Sequence, residues 1–211
     1  LADHNESLAT REKERYPITQ GVKVFDCSCC PPSILRYINS IGDFLYTEDD
    51  DTLYVHHYMN SSTEFENKKI CQKTLYPTTG KVKLTVKGDY KKIAVRVPSW
   101  CKKFDASAHY TVKDGYAYFN ATDVIEFDFN IAPGFVTCAP HVHENAEKTA
   151  LMYGPVVYCV EGIDNEGDIF GLSVKKDTLF NVKQDNFCDL PVITVDGYAK
   201  TDNGKLYYDL D

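Results

Sequence analysis

Apolar and polar residues alternate over several short stretches between residues 52 and 131. Successive side chains of a β-strand point to opposite faces, so this alternation predicts strands with one face buried and one face in water. The residues that share one face in each stretch are Leu53, Val55, His57 and Met59; Val82, Leu84 and Val86; Ile93, Val95 and Val97; and Ile125, Phe127, Phe129 and Ile131. Short strands at this spacing, with turn residues between them, predict an antiparallel β-sandwich.

Two polar segments predict turns. Asp114-Gly115 lies between the strand-like stretches 110–112 and 116–119, which is the signal for a two-residue hairpin. The acidic run from Glu48 to Asp51 lacks the spacing and the glycine of a calcium-binding loop. We therefore interpret the acidic run as a solvated turn.

A different periodicity precedes the strands and predicts one helix. Pro31-Pro32-Ser33 is a start signal, because proline suits the first helical turn and a serine side chain can cap free N–H groups. Apolar residues then recur at spacings of three and four, which predicts an apolar stripe and a helix that ends near Leu45-Tyr46. The stripe consists of Ile34, Tyr37, Ile38, Ile41, Phe44 and Leu45.

The pattern divides the chain into three parts. Residues 1–46 contain a polar N-terminal stretch and the helix, residues 47–147 form the sandwich, and residues 148–211 form a second, smaller or truncated β unit. The last part contains an apolar run at 150–160 that is broken by Gly154-Pro155. Further strand-like segments follow at 179–182, 192–195 and 206–210.

The charge balance excludes some classes of partner. The formal net charge is −8, and no cluster of lysine and arginine could follow a phosphate backbone, so we expect no nucleic-acid partner. No apolar stretch approaches the roughly 20 residues needed to cross a bilayer, so we expect no membrane segment. The polar opening Leu1-Ala2-Asp3-His4 does not resemble a signal peptide, but the first residue is not Met, so the N-terminus does not indicate the compartment. The localisation is therefore left unknown, with a soluble cytoplasmic protein slightly favoured.

Eight cysteines occur, and their spacing does not resemble a disulfide framework. Five are scattered singly, and we expect these to behave as small buried hydrophobic residues. They are Cys71, Cys101, Cys138, Cys159 and Cys188. The other three crowd together as Cys27-Ser28-Cys29-Cys30.

The crowded cysteines stand directly before the predicted helix. The N–H groups and the dipole at a helix start favour a thiolate. Adjacent cysteines do not fit normal disulfide geometry, but both can reach one metal ion if the backbone bends. Three interpretations remain open from the residues alone: an incidental or buried cluster, a structural zinc site, and a catalytic thiolate on zinc.

A longer motif around these cysteines resembles glycoside hydrolase family 127, the β-L-arabinofuranosidase-like enzymes. The resemblance begins with Phe25-Asp26-Cys27-Ser28-Cys29-Cys30-Pro31-Pro32-Ser33, followed by Ile34-Leu35-Arg36 and Ser40-Ile41-Gly42. It continues through Tyr46, Thr47, Asp51, Leu53, Tyr54, Val55 and His56. It returns at Arg96-Val97-Pro98-Ser99-Trp100-Cys101 and at Tyr153-Gly154-Pro155-Val156-Val157-Tyr158-Cys159. These matches extend over about residues 20 to 165 and correspond to the C-terminal part of the family only.

The resemblance implies a helical (α/α)6 catalytic barrel followed by β-sandwich domains. This chain would then be mainly β, with antiparallel β-sandwiches preceded by a short helical remnant of the barrel. By the same resemblance, Cys29 is both zinc ligand and nucleophile, and Cys30 is a second zinc ligand. The implied reaction is a two-step hydrolysis of an arabinofuranoside with retention, through a glycosyl-thioether on the enzyme.

The chain departs from the family in one respect. The other two zinc ligands of the family are a Glu and a Cys in a Glu-x-Cys motif, and no such motif occurs in the 211 residues. The family's acid/base Glu also lies upstream of the matched part. The resemblance therefore implies two of four ligands and no proton donor. Ser33 stands where the family often has Asn.

Other residues invite weaker hypotheses. His56 and His57 would point to opposite faces of a strand and so could not easily share a metal ion. His141 and His143 would share a face, with only Glu144 to complete a set of ligands. Trp100 could stack on a sugar, although the more common role is a core or domain-junction aromatic.

Two hypotheses of function follow. In the first, the chain is the C-terminal segment of a zinc-dependent retaining arabinofuranosidase and is inactive alone. In the second, it is a non-catalytic β-sandwich module for carbohydrate contact or for homodimer formation.

Overall fold

The computed structural model describes residues 29–165, 169, 171–175, 177–184 and 189–199. Helix α1 spans Cys30–Ser40, and short 3-10 turns span Ile41–Phe44, His143–Asn145 and Gly162–Asp164. The strands are β1 (Tyr46–Glu48), β2 (Thr52–Val55), β3 (Ser61–Phe65), β4 (Lys68–Thr74), β5 (Lys81–Lys87), β6 (Lys92–Arg96), β7 (Asp105–Ala106), β8 (Tyr110–Lys113), β9 (Tyr116–Asn120), β10 (Val124–Asp128), β11 (Pro133–Thr137), β12 (Thr149–Tyr153), β13 (Val156–Tyr158), β14 (Leu172–Val174), β15 (Asn181–Lys183), β16 (Val192–Thr194) and β17 (Gly197–Ala199).

Two five-stranded sheets form a β-sandwich. The front sheet has the order β1-β2-β6-β9-β8, and the back sheet has the order β3-β4-β5-β10-β7. One buried cluster joins them, with Leu53, Ile93 and Phe119 from the front sheet and Leu84 and Ile125 from the back sheet. The alternating apolar positions therefore face each other between the sheets, which confirms the predicted mainly β sandwich.

One strand pair of the front sheet is parallel. Strand β2 pairs with β6 from Thr52↔Lys92 to Val55↔Val95. After β2 the chain crosses to the back sheet, forms β3, β4 and β5, and then returns to the front sheet in the same direction. Every other strand pairing in the part of the chain that the structure describes is antiparallel.

Of two hairpins in the sandwich, one was predicted from the sequence and one was not. The predicted Asp114-Gly115 turn joins β8 to β9, and both turn residues have positive φ, 51° and 80°. The hairpin of β3 and β4 was not predicted, since few apolar residues mark its strands. Strand β2 is shorter than predicted and ends at Val55, so His57 and Met59 lie beyond it.

Helix α1 differs from its prediction at both ends. It starts at Cys30 with proline in the first turn, but its N-cap is Cys29 without a side-chain cap, so Ser33 is not the capping residue. It ends at Ser40, before the predicted Leu45-Tyr46. The buried Leu45 already belongs to the sandwich, because its carbonyl accepts a hydrogen bond from the His56 N–H at 2.9 Å. Sheet pairing thus overrides the helical periodicity there.

Three smaller sheets follow the sandwich. They have the orders β11-β12-β13, β14-β17 and β15-β16. Strands β12 and β13 correspond to the predicted apolar run broken at Gly154. Strand β11 pairs with β12 across the predicted boundary at 147/148, and the predicted domain limits stay predictions. The predicted strand at 206–210 lies outside the described residues. In the described ranges, no helix has the length and apolar character of a bilayer-spanning segment.

Gly80 occupies a close approach between backbones, which leads to a stability prediction. A Cβ at this position would lie 2.9 Å from the Phe129 nitrogen and 3.0 Å from the Asn130 nitrogen. The Phe129 N–H donates to the Gly80 carbonyl at 3.1 Å, so these atoms cannot move apart without loss of a sheet-end hydrogen bond. We expect Gly80→Ala to lower the free energy of unfolding by about 1–3 kcal/mol in urea titrations.

Gly42 provides the matched control for this substitution. A Cβ at Gly42 would meet no atom within 4 Å. Gly42→Ala should therefore leave the unfolding free energy unchanged or slightly raised, since alanine has less unfolded-state freedom than glycine. Equal effects of the two substitutions would contradict the steric argument.

Candidate functional site

The cysteine pair stands at the N-terminus of α1. Cys29 is the N-cap residue and Cys30 is the first helical residue. Their Sγ atoms lie 3.7 Å apart, within reach of an S–H···S hydrogen bond and far beyond the roughly 2.05 Å of a disulfide. Both side chains are exposed. The pair therefore does not face the apolar core, and the buried-cluster interpretation does not hold for these two residues.

The helix that carries the cysteines is itself exposed. None of its residues is buried, and its apolar stripe is open, with Ile34 56% exposed and Ile38 57% exposed. Leu35, Tyr37 and the nearby Phe44 are more than half exposed as well. A helix normally buries its apolar stripe against another element. Helix α1 has such a stripe, but no other element among the described residues buries it.

The described residues supply no complete set of metal ligands. No group of three or more His, Cys, Asp or Glu side chains able to hold a metal ion occurs among them. The weak hypothesis of a metal site at His141 and His143 therefore gains no support. Cys27 lies outside the described residues.

His56 takes part in a hydrogen-bonded cluster on the front sheet. Its Nε2 lies 2.7 Å from the Thr47 hydroxyl oxygen, and its Nδ1 lies 2.7 Å from the Tyr116 hydroxyl oxygen. The Arg96 Nε–H donates to the His56 carbonyl at 2.8 Å. Burial lowers the pKa of His56, and the nearby charges of His57 and Arg96 lower it further. Both ring nitrogens are thus used by the protein itself, which gives His56 a structural role in this cluster.

Tyrosines complete this cluster, which no motif in the sequence predicted. The Tyr54 ring stacks beside His56 with centroids 6.3 Å apart, and Tyr116 and Tyr118 stand edge-on to Tyr54 at 5.7 and 6.3 Å. The Tyr54 hydroxyl donates to Asp49, and this hydrogen bond raises the pKa of Tyr54 to about 12. The only signal in the sequence was the outward position of these residues in the alternating strands.

The lowered pKa of His56 predicts a pH dependence of stability. A folded-state pKa below the unfolded value of about 6.5 means that the unfolded chain takes up the proton first. The contribution to stability is therefore present above pH 6.5 and is lost as the pH falls below it. Burial also lowers the pKa of His57, so both imidazoles act in the same direction.

The test is urea unfolding between about pH 8 and about pH 5.5, a range that brackets the unfolded-state pKa. We expect His56→Gln to lose less stability on acidification than the parent sequence, because glutamine does not titrate. His109→Gln, at an exposed histidine, is the control for the loss of an imidazole outside the cluster. An unchanged slope in His56→Gln would contradict the assignment.

The remaining candidate residues have structural surroundings. Trp100 packs against the core cluster beside Tyr76 and Phe129, in agreement with the core or junction role. The expectation of buried single cysteines was wrong for Cys159, which is exposed. Cys71, Cys101 and Cys138 are only partly buried. Cys188 lies outside the described residues.

Two family models match consecutive parts of the chain. The β-L-arabinofuranosidase, GH127 middle domain matches residues 52–129. The glycoside hydrolase family 127 C-terminal domain matches residues 133–202, and together the two matches span well over half of the chain. The chain belongs to glycoside hydrolase family 127. Both matched ranges begin after the cysteine pair of this family 127 chain.

Similar proteins include sequences and solved structures. A curated non-reducing end β-L-arabinofuranosidase from Bifidobacterium longum is 28% identical over 93% of this chain and 34% of its own length. A crystal structure of a family 127 β-L-arabinofuranosidase from Geobacillus stearothermophilus T6 is 30% identical, with a TM-score of 0.76. The match covers 97% of this chain and 36% of that protein. A second family 127 structure, a β-arabinofuranosidase, is 26% identical over 83% of this chain and 33% of its own chain, with a TM-score of 0.73. This family 127 chain thus spans about a third of the length of these relatives.

Proposed function

We propose that this chain is the C-terminal part of a zinc-dependent retaining β-L-arabinofuranosidase in which Cys29 is the nucleophile and Cys30 is a zinc ligand. The observation that carries the proposal is the pair of exposed sulfur atoms 3.7 Å apart at the start of α1. Membership of family 127 and the names of the relatives support the substrate class, an arabinofuranoside.

The separation of the two sulfur atoms fits a shared zinc ion. Two thiolates at about 2.3 Å from a tetrahedral zinc ion are about 3.8 Å apart. The observed separation is 3.7 Å, so Cys29 and Cys30 could bind one ion with little movement. A bound zinc ion would keep both sulfur atoms deprotonated at neutral pH.

The proposed chemistry uses Cys29 as a sulfur nucleophile. Its thiolate attacks the anomeric carbon, a C–S bond forms, and the bond to the leaving oxygen breaks as that oxygen takes a proton from a general acid. Water then attacks the same carbon, gives up a proton to the conjugate base and releases the Cys29 thiolate. Two inversions at one carbon retain the configuration.

The chain lacks several groups that this reaction needs. The described residues offer two thiols and no third ligand beside them, and the sequence contains no Glu-x-Cys. We propose that the other zinc ligands and the acid/base carboxyl group belong to a part of the full-length protein outside this chain. Loss of a general acid alone costs on the order of 100- to 10,000-fold in rate.

The proposal predicts opposite results for two samples. We expect the 211-residue chain to bind zinc weakly and to release no detectable aglycone from an aryl β-L-arabinofuranoside. The full-length protein should contain about one zinc ion per chain and should hydrolyse that substrate with retention. Metal analysis by mass spectrometry and product stereochemistry by NMR provide the two measurements. Full activity of zinc-free full-length protein would refute the proposed metal site. Turnover by the isolated chain would refute the proposal that the general acid lies outside the 211 residues.

A further inference from the structure

The outer faces of the two sheets of the sandwich have different chemistry. On the back sheet the outward positions carry charged residues, with ion pairs Lys83–Glu126 at 2.8 Å and Lys69–Glu64 at 3.2 Å. On the front sheet the outward positions carry Tyr54, Tyr116 and Tyr118, with His56 one residue beyond β2, and we call these four residues the ring face. Lys92, Arg96 and Lys113 lie on the same side of the sheet, around the rings. Lysine and glutamate are typical of a solvent face, whereas tyrosine is enriched and lysine and glutamate are depleted at protein interfaces.

The ring face is partly covered by its own packing. All four rings are half-buried, and Ala94, which lies between Tyr54 and Tyr118 in the strand register, is fully buried. The hydrogen bonds of His56 to Thr47 and Tyr116 and of Tyr54 to Asp49 lie within the cluster. The rings are therefore held in place, and most of their polar atoms are already satisfied. Such a surface offers shape and apolar area, and it has few groups with which to recognise sugar hydroxyls.

The ring face is joined through the chain to the exposed helix. Thr47 lies on edge strand β1, which follows directly after α1 and the turn Ile41–Phe44. The side chains of Ile38 and Phe44 are more than half exposed there. The half-buried ring face and the exposed apolar side chains of α1 thus occur on adjoining elements.

The family comparison indicates what could cover these surfaces. The model that matches residues 52–129 describes a middle domain, so family members have polypeptide before it. The chain matches only 34–36% of the length of two relatives. The part of these two relatives that lies outside the match is large enough to form a domain of its own.

We propose that the ring face and the exposed side of α1 form one surface against which the domain upstream of this chain packs in the full-length protein. The inference rests on the proposed function, because that function requires an upstream catalytic half. It goes further in assigning the front sheet to the interface and the back sheet to solvent. The helix would then be positioned from two sides, and Cys29 and Cys30 with it.

Hydroxyl-radical footprinting with mass spectrometry tests the proposal on the 211-residue chain and on the full-length protein. We expect Tyr54, Tyr116 and Tyr118 to be labelled in the chain alone and to lose most of that labelling in the full-length protein. Val124, which is 41% exposed on the outer face of the back sheet, should be labelled equally in both. Equal labelling of the ring face in both samples would overturn the proposal.

Matched charge insertions give a second measurement. Thr111 is exposed and lies opposite Tyr118 in the register of β8 and β9. Thr111→Arg should leave the unfolding of the isolated chain unchanged, while in the full-length protein it should restore labelling of the ring face and lower the thermal midpoint. Val124→Arg should do neither. If both variants behave alike in the full-length protein, the ring face is not an interface.

Other occupants give distinct outcomes, and each would overturn the proposal. Protection of the ring face in the isolated chain that increases with its concentration would indicate a second copy of the chain. Protection on addition of an arabino-oligosaccharide would indicate a sugar platform. Zinc content and turnover are measured separately on the same full-length sample. A failure of the proposed function can therefore be distinguished from a failure of the proposed interface, which only the labelling tests.

Discussion

Cys29→Ala in the full-length protein is expected to lower kcat/KM for an aryl β-L-arabinofuranoside by about 1,000-fold or more. Removal of a covalent nucleophile eliminates the two-step route, and losses of this size or larger are measured when nucleophiles are deleted. The exposed position of the thiol at the start of α1 makes the same sulfur accessible to a substrate. Initial rates with saturating and limiting substrate give the comparison.

Three further measurements separate this result from misfolding. Cys159→Ala, which removes another exposed thiol, should keep the activity. Cys30→Ala should lose zinc as well as activity, because Cys30 is proposed only as a ligand. Intact-mass analysis of the protein under turnover should find a pentosyl adduct that is absent in Cys29→Ala. Unchanged turnover in Cys29→Ala would remove Cys29 from the mechanism.

Phe129→Ala is expected to destabilise the 211-residue chain by about 3–5 kcal/mol. Phe129 is fully buried, and five aromatic rings surround it. The distances from its ring centroid are 4.8 Å to Tyr58, 5.5 Å to Phe127, 5.7 Å to Phe104, 5.8 Å to Trp100 and 6.0 Å to Tyr76. Rigid rings cannot collapse readily into the space left by the deleted side chain, so a cavity would remain.

Urea unfolding of Phe129→Ala, in the core, and of Val112→Ala, at the surface, measures the size of this effect. Val112→Ala is the control, since Val112 is 61% exposed on β8 and should change the unfolding free energy by no more than about 0.5 kcal/mol. A loss below about 1 kcal/mol in Phe129→Ala would show that the ring cluster is more loosely packed than its distances indicate.

Much of the sandwich was predictable because its signals are local. The alternation of Val82, Leu84 and Val86 places these side chains on the buried face of β5, as expected. The Asp114-Gly115 turn was predictable because two consecutive positive φ angles restrict the residue types that can form it. Strands β3 and β4 were not predicted, because few apolar residues mark them: even a buried inward position of β4 is occupied by the polar Gln72.

The candidate site divides in the same way. The cysteine motif before two prolines was visible in the sequence and indicated the family, while the roles of Cys29 and Cys30 stay predictions. The exposure of α1 was not, because an apolar stripe of the same periodicity is normally a buried one. The ring face brings together residues from 54 to 118, and no local pattern relates positions so far apart.

The sequence by itself determined which residues alternate into the core, where the tight hairpin turns and which two thiols stand together before a helix, because each depends on neighbours within a few residues. Only the tertiary structure decided that β2 and β6 run parallel, that the thiols are exposed with their Sγ atoms 3.7 Å apart, and that three tyrosines and a histidine gather on the outer face of the front sheet. These features depend on how distant strands are placed side by side. That placement follows from the burial of the whole core and has no signature in any single segment.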